Sequence, residues 1–251
     1  MKKKISLVIT LIAAVVFVTA GFKLYILLKA YKDAAAEYSK LNSDYVDSVG
    51  TDGSDTVSAT EISLDVDFGA LSKINPDIKG WIYYPALNIS YPIVQTEDNE
   101  YYLTHTFYRN INKSGAIYLD HANAPDLSDF NSLIYGHNMR DGSMFGSLKK
   151  LYQEEDLRKN NPYFYVIMAD DTVYECEIFS YYVGHETSDA FTIPTTDEQK
   201  EAYINDALRK SVENTGVEVS KDDRIITLAT CSGPAGTQYR FFVHGKINEI
   251  E

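Results

Sequence analysis

Residues 224–246 read RIITLATCSGPAGTQYRFFVHGK, and the rest of the chain is organised around this stretch. Ile225, Ile226 and Leu228, with β-branched Thr227 and Thr230, make an apolar run of strand length. The run stops at Cys231, where residues 232–236 are a cluster of turn formers. A second strand follows from Tyr239, with Arg240 near its start. A thiol at a strand end, beside a tight loop and an arginine, is held rigidly and still exposed. Thiols react as thiolates and need a base or cation nearby. Arginine stays protonated, so it serves as a donor to an oxyanion or carbonyl and not as the base.

A histidine in a matching setting completes the chemistry. Residues 132–139, SLIYGHNM, form an apolar strand running into Gly136-His137-Asn138 and a polar loop. Of the five histidines, His105 and His185 lie in irregular polar stretches, and His121 opens a loop. His244 alternates with Phe242 along the last strand and reads as a satisfied strand residue. His137 ranks only slightly above His121 on periodicity alone.

The order of these motifs resembles the sortases, the cysteine transpeptidases of Gram-positive cell surfaces, and class B in particular. The resemblance runs from Leu71 to Ile247. It rests on residues 73–107 (KINPDIKGWIYYPALNISYPIVQTEDNEYYLTHTF), then GAIYLDHAN, YGHNMRDGSMFGSL and TLATC followed by YRFFVHGKI. It implies Cys231 as nucleophile, His137 as proton carrier and Arg240 as stabiliser of the oxyanion. It also implies secreted proteins with a C-terminal sorting signal as substrates, and a cell-wall precursor amine as acceptor. Tyr135 and Ala229 lie two residues before His137 and Cys231, share their sheet faces, and are expected to line the substrate groove. Ala229 stands where class B most often has serine, a change that touches substrate detail and leaves the chemistry intact.

Composition narrows the alternatives. The 251 residues carry 23 basic and 36 acidic side chains, a formal charge of −13, which argues against nucleic acid because phosphate binding needs a basic stripe. Neither C-x-x-C nor H-x-x-H spacing occurs, so no metal site is expected, and no cofactor. The second cysteine, Cys176, alternates with Tyr174 and Ile178 on a strand and reads as a buried inert thiol.

The N-terminus carries Lys2-Lys3-Lys4 and then an uncharged run over 5–22, continued past Lys23 to Leu28. That is long enough to cross a bilayer. The expected organisation is a cytoplasmic tip and transmembrane signal anchor over 1–28, a stalk and flexible linker over 29–61, and a catalytic domain over 62–251. A cleaved signal peptide ending near Ala20 is the rival for the first segment. The resemblance places the catalytic domain outside a single-pass membrane anchor.

Eight short strands are expected: 81–84, 89–94, 116–119, 132–135, 163–168, 173–183, 224–230 and 239–247. Spacing alone leaves a sandwich or a barrel open; the resemblance selects a mainly β, closed sortase-type barrel. Helices are expected over 67–74, over 144–151, and over 196–213 before the cysteine strand. Residues Ile204, Ala207, Leu208 and Val212 form the apolar stripe of the last. One reading from another class stands beside the transpeptidase, a catalytically silent, membrane-tethered barrel that binds surface proteins; the enzyme rivals are a hydrolase that only cleaves and a sortase dedicated to pilus polymerisation, which a long lid before the barrel would favour.

Overall fold

Residues 2–49, 63–233 and 236–249 are described by a computed structural model of the chain. Helix α1 (Lys2–Tyr45) leads into β1 (Val46–Val49), which pairs antiparallel with β2 (Ser63–Val66), and α2 (Phe68–Ile74) follows. Strands β3 (Ile78–Tyr84), β4 (Ile89–Val94), β5 (Ile117–Leu119), β6 (Asn131–Tyr135), β7 (Tyr163–Met168), β8 (Val173–His185), β9 (Ile225–Cys231) and β10 (Tyr239–Glu249) close into one barrel in the order β10-β8-β7-β3-β4-β5-β6-β9. Short helices α3 (Lys150–Gln153) and α4 (Leu157–Asn160) join β6 to β7, and α5 (Asp197–Lys210) crosses from β8 to β9. All eight expected strands are present, and closure leaves no unpaired edge.

Side-chain alternation assigns the two faces of the wall. Ile226 and Leu228 of β9, with Ile134 of β6 and Phe241 and Val243 of β10, point into the main core. Ile225, Ala229 and Phe242 face outward and meet Phe179, Tyr182, Tyr203, Ile204 and Ala207 in a second apolar cluster. That cluster lies beneath α5. The inserted helix therefore covers the outer face of the strands that carry the cysteine and the arginine. Thr196 caps α5 by accepting from the Gln199 N–H, and the Gln199 side-chain oxygen accepts from the Thr196 N–H, a capping box worth about 1 kcal/mol.

Three sequence expectations change. Residues 29–61 are not a free stalk and linker as far as Val49. The helix runs unbroken to Tyr45, and Ala34, Tyr38 and Leu41 are buried. Tyr38 donates its hydroxyl to the Gly115 carbonyl at 2.7 Å, and the Asn42 side chain bonds Ser90. The remainder of that segment, 50–61, and the first residue of the expected catalytic domain lie outside the described residues.

Residues 144–149 form successive turns and not a helix, because their amides bond elsewhere. The Met144 N–H donates to the Tyr91 hydroxyl, and the Phe145 N–H donates to the His137 carbonyl. Met144 itself has φ 53°, outside the helical range. On α5, Leu208 is exposed, as is Val212 just beyond the helix, and Tyr203 takes their expected place on the buried face.

Candidate active site

Strand direction brings the selected residues together. β6 and β9 are parallel neighbours, with Tyr135 opposite Ala229, so both strands end at the same rim. His137 leaves one strand there and Cys231 ends the other. β10 runs antiparallel to β9 with Arg240 directly opposite Cys231. His137 and the Cys231–Arg240 pair, far apart in sequence, are thus delivered to one edge by strand pairing.

Cys231, His137 and Arg240, all half-buried, line one cavity of about 210 Å³ with Tyr135, Ala229, Gly136, Thr230, Leu103, Tyr118 and Phe191. Five of these ten residues are the ones singled out from sequence. The floor is the pair Tyr135–Ala229 on adjacent strands, and the buried Phe242 sits beside Ala229 on β10. Ala229 contributes no polar group to it.

The imidazole of His137 is held by a main-chain oxygen. Its Nε2 lies 2.8 Å from the Leu103 carbonyl, which only accepts, so Nε2 carries the proton. In the neutral ring the lone pair therefore sits on Nδ1, the atom free to exchange a proton. The backbone at Tyr102 and Leu103 packs closely against Gly115. Gly115, at φ +56°, sits so near the Tyr102 carbonyl that an added Cβ would meet it at 2.4 Å, and it would meet the His137 ring at 3.1 Å. Only glycine fits there.

The Arg240 guanidinium is fixed on two sides. Nη1 donates to the carbonyls of Thr237 (2.7 Å) and Tyr239 (3.0 Å), and Nη2 pairs with Glu186 at 3.0 Å. Tyr135 is fixed from below. Its hydroxyl donates to Asp120 at 2.7 Å, and the same carboxylate oxygen accepts from Asn99 at 2.9 Å. Burial, with the Asp120 carboxylate adding to it, pushes the Tyr135 phenol far above its ordinary pKa, so it stays a neutral donor.

Comparison with known proteins decides the family. Residues 82–248 match the Sortase domain family. The chain is 38% identical over 181 residues to sortase B of Listeria monocytogenes, covering 70% of this chain and 72% of that one. The chain belongs to the sortase family.

It falls in class B by its structural neighbours as well. The crystal structure of B. anthracis sortase B in complex with AAEK1 superposes with a TM-score of 0.75 at 29% identity, covering 89% of this chain and all of that one. A Staphylococcus aureus sortase B–substrate complex gives a TM-score of 0.72 at 26% identity over 88% of this chain and 98% of that one. Membership carries sortase transpeptidase function.

The other histidines are accounted for. His105 stacks on Tyr101 with ring centroids 4.1 Å apart, and His121 and His185 are exposed. His244 is fully buried on β10, opposite Thr227 of β9. Cys176 lies inside the barrel, and burial raises its thiol pKa well above the ordinary value. It pairs with Ile247 while Cys231 pairs with Arg240. The two thiols are therefore seven residues apart along β10, roughly 23 Å, too far to bridge. Both are free.

Sequence reasoning did not single out Leu103, Tyr118 and Phe191 as cavity walls. Tyr118 sat inside a quoted motif, in GAIYLDHAN. Phe191 left one faint signal, a lone aromatic in the polar stretch SDAFT. Leu103 contributes a backbone oxygen, and no side-chain pattern reveals that.

Proposed function

We propose that this sortase is a cysteine transpeptidase in which Cys231 attacks the carbonyl of a Thr-Gly or Thr-Asn type bond in a C-terminal sorting signal. The sulfur–carbon bond forms, and Arg240 donors stabilise the developing oxyanion. The C–N bond then breaks as the protonated ring of His137 gives its Nδ1 proton to the leaving amine. The product is a thioester on Cys231. An amine from a cell-wall precursor attacks that thioester, His137 Nδ1 takes its proton, and Cys231 departs as thiolate. Tyr135 and Ala229 form the floor on which the peptide lies.

The observation that carries this reading is the shared cavity: Cys231, His137 and Arg240 line one space at the ends of adjacent strands. The test is turnover of a panel of sorting-signal peptides with and without an added amine. Amine-dependent formation of a ligated product supports the reading. Cleavage that ignores the amine, or that persists in Cys231→Ala, would refute it.

The anchor belongs to the same proposal. Among the described residues one helix is long and apolar enough to cross a membrane, and its side chains from Ile9 to Leu28 are exposed to a surrounding medium. The span 5–28 is about 36 Å long, matching a ~30 Å hydrocarbon core with modest tilt. The Asn112 side chain donates to the Ala30 carbonyl at 2.9 Å, two residues or about 3 Å beyond Leu28. In this reading residues 1–28 form the tip and the span, the body begins as the helix leaves the bilayer, and the barrel lies outside, at the membrane surface.

A further inference from the structure

Behind the cavity floor lies a buried polar cluster that the transpeptidation scheme does not use. Thr227, Asn131 and His244 are completely buried and Tyr203 nearly so. Thr227 Oγ1 is the hub. It lies 2.7 Å from Asn131 Oδ1, 2.9 Å from His244 Nδ1 and 2.9 Å from the Tyr203 hydroxyl. Proton bookkeeping gives the cluster a direction. Asn131 Oδ1 only accepts, so the Thr227 hydroxyl donates to it, and Thr227 accepts from His244 Nδ1–H and from Tyr203. His244 Nε2 is then a bare, buried nitrogen without a partner.

The direction continues into the cavity wall. Asn131 Nδ2 donates to the Thr192 carbonyl at 2.8 Å and reaches the Ala190 carbonyl at 3.4 Å. These two carbonyls flank Phe191, which lines the cavity. Its ring stacks on Tyr135 at 6.1 Å and meets Phe242 edge-on at 5.0 Å. The members come from the strands that deliver the site residues: Asn131 from β6, which leads to His137; Thr227 from β9, which ends in Cys231; and His244 from β10, which carries Arg240. Tyr203 comes from α5.

We propose that Asn131, Thr227, His244 and Tyr203 form a positioning clasp that fixes Phe191 over the floor of the cavity and so sets affinity for the peptide. This rests on the reading of the cavity as the peptide site. The clasp acts on the inserted segment and touches none of the reacting atoms. Its loss therefore weakens peptide binding and leaves the thiol chemistry alone.

Three readouts test this on the full chain: steady-state kinetics on a sorting-signal peptide, the rate of Cys231 alkylation by iodoacetamide, and amide hydrogen exchange over 190–193. Asn131→Ala and Phe191→Ala are each expected to raise KM about tenfold, the worth of ~1.4 kcal/mol, with kcat and alkylation unchanged. The double variant is expected to be no worse than the poorer single one, because both act through the same ring. Exchange at 190–193 is expected to rise in Thr227→Val and to return to the original rate in Thr227→Ser.

Additive KM effects, or alkylation that slows as KM rises, would overturn the clasp. Phe191 is only half-buried, so an unchanged KM in Phe191→Ala overturns it even if a fully buried variant fails to fold. Should the unaltered protein turn over no peptide, the transpeptidase reading fails separately. Exchange that is identical in Thr227→Val and the parent then removes the clasp as well.

Discussion

The side-chain amide of Asn138 donates to the main-chain carbonyl of Cys231 across 2.8 Å. The residue after the proposed base is therefore tied directly to the proposed nucleophile's backbone, across the rim where β6 and β9 end. A second tie lies one step below, where the Gly136 N–H donates to the Ala229 carbonyl. Removing the first leaves the second to hold the strands while the cysteine loses its register with the imidazole. Asn138→Ala is expected to lower kcat/KM about tenfold, the effect of one lost hydrogen bond of ~1 to 1.5 kcal/mol at a positioned site. Steady-state kinetics on a cleaved peptide measure this, and an unchanged kcat/KM contradicts it.

Arg240 makes contacts on two sides that a lysine does not reproduce, because a single ammonium lacks the planar fork. Arg240→Ala is expected to lower kcat by ~10²- to 10³-fold, the usual cost of an oxyanion donor, and Arg240→Lys is expected to fall nearly as far. Glu186→Gln is expected to cost less than about tenfold, because its ion pair with Arg240 is partly exposed to solvent. Full activity in Arg240→Lys contradicts the assignment.

The Leu103 carbonyl fixes which nitrogen of His137 carries the proton. In ¹⁵N-labelled protein, at a pH where the ring is neutral, the His137 signals are expected to show the Nε2–H tautomer. A ring protonated on Nδ1 contradicts the proposed route for the proton.

His244 makes a prediction about acid stability. Burial holds its pKa down to about 3, against an ordinary 6.5, with the Asp206 carboxylate opposing and the Lys210 ammonium adding to that shift. Those two charges face it from α5, with the Tyr203 phenol; Tyr182 of β8 stacks on its ring. The folded protein thus keeps the ring neutral while the unfolded chain protonates it below pH 6.5. Unfolding takes up a proton in that window, so this contribution to stability is complete above pH 6.5 and is lost as pH falls toward 3. Between pH 6.5 and 4.5 the loss is on the order of 2 to 3 kcal/mol. Denaturant melts of the parent and of His244→Gln are expected to converge as pH falls across this range. A constant gap between them contradicts the assignment.

The barrel was legible because its strands announce themselves by composition and by the turns between them. Register was not. That Arg240 faces Cys231, or that Tyr135 faces Ala229, depends on pairings between segments nearly a hundred residues apart in the second case. Motif order supplied what periodicity could not. The docking of residues 34–41 on the barrel was hidden because the helix looks uniformly helical from the anchor onward. Its contact residues Ala34, Tyr38 and Leu41 recur at helical spacing but follow an apolar stretch that masks the pattern.

Residues 144–148 misled for a related reason. Their apolar spacing is helical, but their amides are claimed by the Tyr91 hydroxyl and the His137 carbonyl, and tertiary bonds override local preference. The site followed the same division. Cys231, His137 and Arg240 are side chains in recognisable settings, and the structure brings these three to one cavity. The Leu103 carbonyl and the clasp on Phe191 act through backbone atoms and buried hydrogen bonds, which leave almost no mark in a sequence.

The central claim is that Cys231 forms a thioester with the sorting-signal peptide and passes the acyl group to an amine. The most direct measurement is the intact mass of the protein after incubation with a panel of such peptides. The expected result is an increment equal to the N-terminal peptide fragment less one water, absent in Cys231→Ala and released on adding an amine. No adduct with any peptide, from a protein whose Cys231 also resists a small thiol reagent, would contradict it.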